Sequence, residues 1–107
     1  MLQTRQIQQA LDRVISAASK PSKIILFGSY ARGDAGEHSD LDIMVVEPVV
    51  ADRAQEMLRL QEAIGRIGVD VDVLVYSNAE FEQRRNWCST PVYWALREGK
   101  VAYEHRQ

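Results

Sequence analysis

The chain has 107 residues, 46% of them apolar and 26% charged, values that exclude intrinsic disorder and fit one independently folding domain. Its 6 Gly and 3 Pro exclude collagen-like and low-complexity classes, and a single cysteine, Cys88, excludes a disulfide framework. With 13 Lys and Arg against 15 Asp and Glu, the net charge of -2 argues against strong sequence-independent binding of nucleic acid.

Ile7, Leu11, Val14 and Ala18 recur at helical spacing, widened by Ala10, Ile15 and Ala17, so the first element is an amphipathic helix over about residues 4 to 19. Pro21 stops it, because its ring and missing N–H cannot continue the ladder. Lys23-Ile24-Ile25-Leu26-Phe27 is a short apolar run ending at Gly28 and reads as a buried strand. Residues 29 to 39 carry Gly33, Asp34, Gly36 and Ser39 and read as loop, with room for one helical turn. Leu41 to Val46 form a second strand ended by Glu47-Pro48. Met57, Leu60, Ile64 and Ile67 mark a further helix, with Asp52 as its N-cap and Gly68 as its stop.

Val69, Val71, Val73 and Val75 then alternate with Asp70, Asp72, Leu74 and Tyr76, the clearest strand in the chain. Ser77-Asn78 leads into a helix around Phe81, and Thr90-Pro91 opens another that Gly99 ends. Val101 and Tyr103 fit a short edge strand. This order predicts an α/β (α+β) chain, a small mixed β-sheet flanked by helices, as a single domain over residues 1–107. The link between the first two strands is too short for a parallel crossover, so they pair antiparallel or are unusually joined. No apolar run nears the roughly 18 to 20 residues that span a bilayer, and the start lacks a signal-peptide layout. A soluble cytoplasmic protein is the expectation.

The chemistry concentrates between Gly28 and Asp42. At one end a strand runs into Gly28-Ser29, where glycine permits a sharp turn and close approach of a ligand. Ser29 adds a hydroxyl beside freed backbone N–H groups, a combination that can hold phosphate. Arg32 is placed to reach a phosphate or to stand as an exposed turn arginine. At the other end Asp40 and Asp42 lie two apart at the mouth of a strand, a spacing that aims both carboxylates to one face. Two such charges about 4 Å apart repel by about 4 kcal/mol at an effective dielectric of 20, which a cation between them relieves. Hard oxygen ligands favour Mg²⁺ or Mn²⁺ over Zn²⁺. If the third strand neighbours the second, Asp70 or Asp72 supplies a further carboxylate, and periodicity leaves that choice open. A P-loop is excluded, since Asp34-Ala35 stand where Lys and Ser/Thr are required.

A Gly-Ser turn, a later Gly33, then Ser39-Asp40-Leu41-Asp42 and a distant strand aspartate resemble the DNA polymerase β-like nucleotidyltransferase superfamily. The small size, Val71-Asp72-Val73-Leu74-Val75-Tyr76 and the tail Leu96 to Glu104 resemble its minimal nucleotidyltransferase branch. The resemblance selects Asp72 over Asp70 and implies two Mg²⁺ ions shared by Asp40, Asp42 and Asp72. It implies that Gly28 and Ser29, with Arg32, bind the phosphates of a nucleoside triphosphate, ATP. A hydroxyl then attacks the α-phosphate and pyrophosphate leaves.

Members of this branch are often antitoxins paired with a HEPN-domain ribonuclease toxin, which implies transfer of AMP to a tyrosine of that toxin and an assembly with it or with further copies. The chain has no residues left over for a second, acceptor-holding domain, in keeping with a protein acceptor that brings its own docking surface. The alternatives are an antitoxin that neutralises its partner by binding alone, and a transferase for a small hydroxylated acceptor such as an aminoglycoside. His38 and Asp70 read as solvated, Arg84-Arg85 as a helix surface, and Phe81, Trp87, Tyr93 and Trp94 as core or partner contacts.

Overall fold

A computed structural model describes residues 1–105. The apolar stripe of the first segment forms helix α1 (Thr4–Ala17), which buries Ala10, Leu11 and Val14. It ends slightly before the expected boundary, because Ala18 already has extended backbone ahead of Pro21. Strand β1 (Lys23–Phe27) has its predicted bounds, and one helical turn, α2 (Ser29–Arg32), follows Gly28. Strand β2 (Leu41–Glu47) carries one residue more than expected, Glu47. The helix α3 (Arg53–Ile64) starts at the predicted cap, where the Asp52 side chain accepts the Gln55 N–H at 3.1 Å.

Two boundaries differ from expectation. Helix α3 stops at Gly65, whose φ of +73° leaves the helical region, and not at Gly68. Ile67 still packs on the core from the connecting loop. Strand β3 (Val71–Ser77) begins two residues later than the alternation of valines suggested. Gly68 turns the chain with φ +97°, and Asp70 stays outside the ladder while its carbonyl accepts the Leu41 N–H at 2.9 Å.

Helix α4 (Asn78–Arg84) is opened by a capping box in which the Ser77 hydroxyl and the Glu80 carboxylate each satisfy a backbone N–H. Helix α5 (Pro91–Glu98) starts on proline and is closed by Gly99, as predicted. The last strand, β4 (Lys100–Glu104), is the expected edge strand. His105 is tied down beyond it, donating its backbone N–H to the Ser22 carbonyl.

The sheet order is β3-β2-β1-β4. Of the two links left open for β1 and β2, the antiparallel pairing is found; β1 and β4 are also antiparallel, while β2 and β3 run parallel through the α3 crossover. Alternate residues of β2 and β3 divide between the two faces. Leu41, Ile43, Val45, Val73 and Val75 face the core under α1 and α3. Met44 and Val46 face a smaller core with Phe81, Val92 and Ala95 from α4 and α5. Each fully buried Ile, Leu or Val contributes about 1.5–3 kcal/mol relative to an exposed one, an upper bound given residual order in the unfolded chain. No helix among the described residues is long and apolar enough to cross a membrane.

Candidate active site

Strand direction assembles the site. Parallel β2 and β3 both begin at one end of the sheet, and antiparallel β1 finishes there. The Gly28-Ser29 turn therefore lies beside the first residues of β2, and the first residues of β3 lie on the other side of β2. Asp42 pairs in register with Phe27 of β1 and with Asp72 of β3. Periodicity leaves open which aspartate of the third strand would stand beside Asp42, the family resemblance selects Asp72, and the ladder has Asp72 there.

Gly28 is required twice over. Its φ of +74° lies where side chains are strained, and a Cβ built on it would stand 2.1 Å from the Asp42 Oδ2. The absent side chain is the room in which the Asp42 carboxylate sits. Ser29 follows as the first residue of α2, and its carbonyl accepts the N–H groups of Gly33 and Asp34 at 2.9 and 3.1 Å, closing the turn.

Electrostatics mark Asp42 as the pivot. Burial, then the charge of Asp72 and a hydrogen bond shared with it, push the Asp42 carboxyl up to about 6. The charge of Asp40 adds to this and that of Arg32 opposes it. Asp42 is half-buried, while Asp40 and Asp72 are exposed. The three aspartates expected from the sequence thus act on one another, but unequally: Asp42 and Asp72 are in contact range, and Asp40 is felt through its charge. Among the described residues no three His, Cys, Asp or Glu side chains form a ready-made metal cage.

The donor set nevertheless fits a hard divalent cation. All its donors are carboxylate oxygens, and the burial and mutual repulsion that raise the Asp42 carboxyl are what a dication at the same place would relieve. Arg32 is exposed and held by Asp34 at 3.2 Å and Glu98 at 3.4 Å, close enough for its charge to reach Asp42. Glu98 lies 66 residues from Arg32, and no local pattern in the sequence links them.

Sequence reasoning also missed the space beside the carboxylates. An open cavity of about 640 Å³ is walled by the segment before β2, including Glu37, His38 and Asp40, and by the segment before β3, including Arg66 and Asp70. The signal available was the pair of glycines, Gly65 and Gly68, that bends the second wall through two positive φ angles. Elsewhere, Phe81 is buried as expected, whereas Trp87 and Trp94 are exposed.

Known proteins resemble the chain in sequence and in fold. A profile of the nucleotidyltransferase domain matches residues 7–69. A Methanocaldococcus jannaschii protein named "Putative protein adenylyltransferase MJ0604" is 40% identical over 81 residues, 76% of this chain and 77% of that one. Among solved structures, a toxin-antitoxin with AMP-PNP superposes with a TM-score of 0.65 at 23% identity, covering 94% of this chain and 75% of the other. A mutant of the toxin-antitoxin MntA-HpeT superposes with a TM-score of 0.61 at 24% identity over 100% of this chain and 76% of the other. These two structural likenesses carry the fold. The matched profile spans more than half of the chain and takes in the Gly-Ser turn, Asp40 and Asp42, and the chain belongs to the nucleotidyltransferase domain family.

Proposed function

We propose that the chain is a Mg²⁺-dependent protein adenylyltransferase that acts as the antitoxin of a HEPN-domain toxin in the cytoplasm, moving AMP from ATP to a tyrosine hydroxyl. The single observation that carries the reading is the side-by-side placement of Asp42 and Asp72 against the Gly28 gap. Asp40, Asp42 and Asp72 would hold two Mg²⁺ or Mn²⁺ ions, which when bound neutralise charge on the phosphates and the attacking oxygen.

The order β3-β2-β1 supports a division of labour across the site. Gly28, Ser29 and Arg32, on the β1 side, hold the β- and γ-phosphates. Asp42, on β2, lies under the α-phosphate. Asp72, on β3, orients the acceptor hydroxyl and takes its proton as the new O–P bond forms. The bond from the α-phosphorus to the bridging oxygen breaks on the opposite side, and pyrophosphate leaves toward Arg32. An in-line displacement needs attacker and leaving group on opposite sides of phosphorus, and the strand order is consistent with that division. The similarity to a protein named as a protein adenylyltransferase and to toxin-antitoxin structures supports a protein acceptor.

The test mixes the chain with Mg²⁺, α-labelled ATP and the product of the neighbouring open reading frame. Label on a tyrosine of that product, lost with Asp72→Asn while ATP still binds, is the expected result. Neutralisation of the partner at full strength by Asp42→Asn, without any transfer of label, would replace catalysis by simple occlusion. Pyrophosphate release with no labelled macromolecule would point to a small acceptor.

A further inference from the structure

The cavity beside Asp40 lies toward β3, away from the Gly-Ser turn, on the side proposed above for the acceptor. Its walls are the segments that precede β2 and β3, together with Gln61 of α3 and Val71 at the start of β3, so it opens next to Asp40 and beside the residue that precedes Asp72. The Gly-Ser turn enters from the far side of β2 and contributes nothing to the lining.

Charge decides what the cavity can take. Glu37, Asp40 and Asp70 line it with three carboxylates, against one guanidinium from Arg66 and the imidazole of His38. A phosphate chain placed there would meet Glu37 on one wall and Asp70 on the other, neither of them among the carboxylates assigned to a metal ion, and a like-charge juxtaposition of that kind is unfavourable. A guanidinium or ammonium group would be attracted by the same three side chains. The open shape, about 640 Å³ of it, suits an extended peptide segment better than an enclosed small molecule.

We propose that this cavity is the docking site for the acceptor, and that it selects a protein segment in which basic residues flank the hydroxyl-bearing side chain. The assignment rests on the transferase reading for its purpose, but its geometry and charge stand without it. Glu37 and Asp70 contact the flanking cations. Arg66 limits the selection, repelling a segment whose cations fall at the wrong register. Asp40 belongs to both halves, so the acceptor's charge reaches the reacting centre through it. The expected recognition is salt-sensitive, because these side chains are at an open surface where screening acts over about 8 Å at physiological ionic strength.

The experiment uses two short synthetic peptides, each with a central tyrosine, one flanked by arginines and the other by glutamates. Binding to the whole chain is measured by fluorescence anisotropy and located by ¹⁵N chemical-shift mapping. The arginine peptide binds about tenfold more tightly, and its shifts fall in residues 37–40 and 65–71. The exposed double substitution Glu37→Lys with Asp70→Lys inverts the preference, and Arg66→Glu strengthens it. The separate Arg66 variant keeps the test decisive if the double variant fails to fold. Equal affinity for the two peptides, or shifts confined to other surfaces, would overturn the proposal. So would perturbation of residues 65–68, remote from the metal-holding aspartates, by Mg²⁺ and AMP-PNP in place of the peptide, which would make the cavity a nucleoside subsite. Transfer of label from ATP, read in the same mixtures, tests the catalytic reading separately. Selective binding without transfer removes the transferase and leaves the docking site in place.

Discussion

Replacing Asp42 by asparagine should make the protein more stable and catalytically dead. In the native chain the Asp42 carboxyl is pushed from an ordinary 3.8 up to about 6, first by burial and then by Asp72. The folded-state value lies above the unfolded one, so the native state holds the proton longer and binds more protons between the two values. The contribution of Asp42 to stability is therefore greatest below pH 4 and falls as pH rises through 4 to 6. At about 1.4 kcal/mol for each pH unit, the full rise corresponds to a ceiling of about 3 kcal/mol. Asp42 is only half-buried, and solvent screening brings the usable figure to about 1 kcal/mol. For a chain of this length that is an increase of about 5 °C in Tm for Asp42→Asn near neutral pH. Thermal melts of both proteins in a chelator from pH 4 to 8 measure it. The gap should be small at pH 4, open between pH 4 and 6, and stay level above pH 7. Added Mg²⁺ should raise the Tm of the native chain more than that of the variant. A variant no more stable than the parent at pH 7.5, or a gap that does not change with pH, would refute the claim that repulsion and burial strain this carboxylate.

Gly28→Ala should cost about 1–3 kcal/mol from its positive φ alone, and more from contact with Asp42; chemical denaturation measures the loss, and nucleotide transfer should fall at least as far as in Asp42→Asn. Glu47, 2% exposed, is pushed up to about 7 by burial and by Glu56, while both accept the Ser19 N–H at 2.9 and 3.2 Å. Against partial burial, hydrogen bonds from protonated Glu47, Arg59 and Ser19 hold Glu56 low. The raised Glu47 value means its contribution to stability declines as pH rises from about 4.5 to 7, so melts of Glu47→Gln should show a flatter dependence in that window. Asp52→Ala removes the α3 cap and should cost about 1 kcal/mol in denaturant melts with transfer activity unchanged.

Much of the architecture was legible because it rests on local rules. The period of two in residues 71–75, the stop at Pro21, the cap at Asp52 and the helix start at Pro91 each follow from chain stereochemistry within a few residues. The turn, Asp40 and Asp42 were legible for the same reason. What was hidden depends on partners distant in sequence. Periodicity cannot separate Asp72 from Asp70, and only the family resemblance selects Asp72; strand pairing sets it beside Asp42, and Gly68 delays the strand so that Asp70 falls outside it. The end of α3 at Gly65 was missed because Ile67 continues the apolar spacing from a loop. Glu47 read as a strand terminus, since neither its burial nor its pairing with Glu56 has a local signature.

The register between β2 and β3 makes catalytic competence and correct folding the same event. A slip of β3 by one position would move Val73 and Val75 to the opposite, only partly covered face of the sheet and drive Asp72 among the aliphatic side chains under α3, burying a charge without a partner. A molecule that has reached its hydrophobic minimum has thereby already aligned its two acids. The aliphatic layer acts as a proofreading gauge for the reactive end, so substitutions deep beneath α3, far from any substrate, should surface as losses of activity before they surface as losses of solubility.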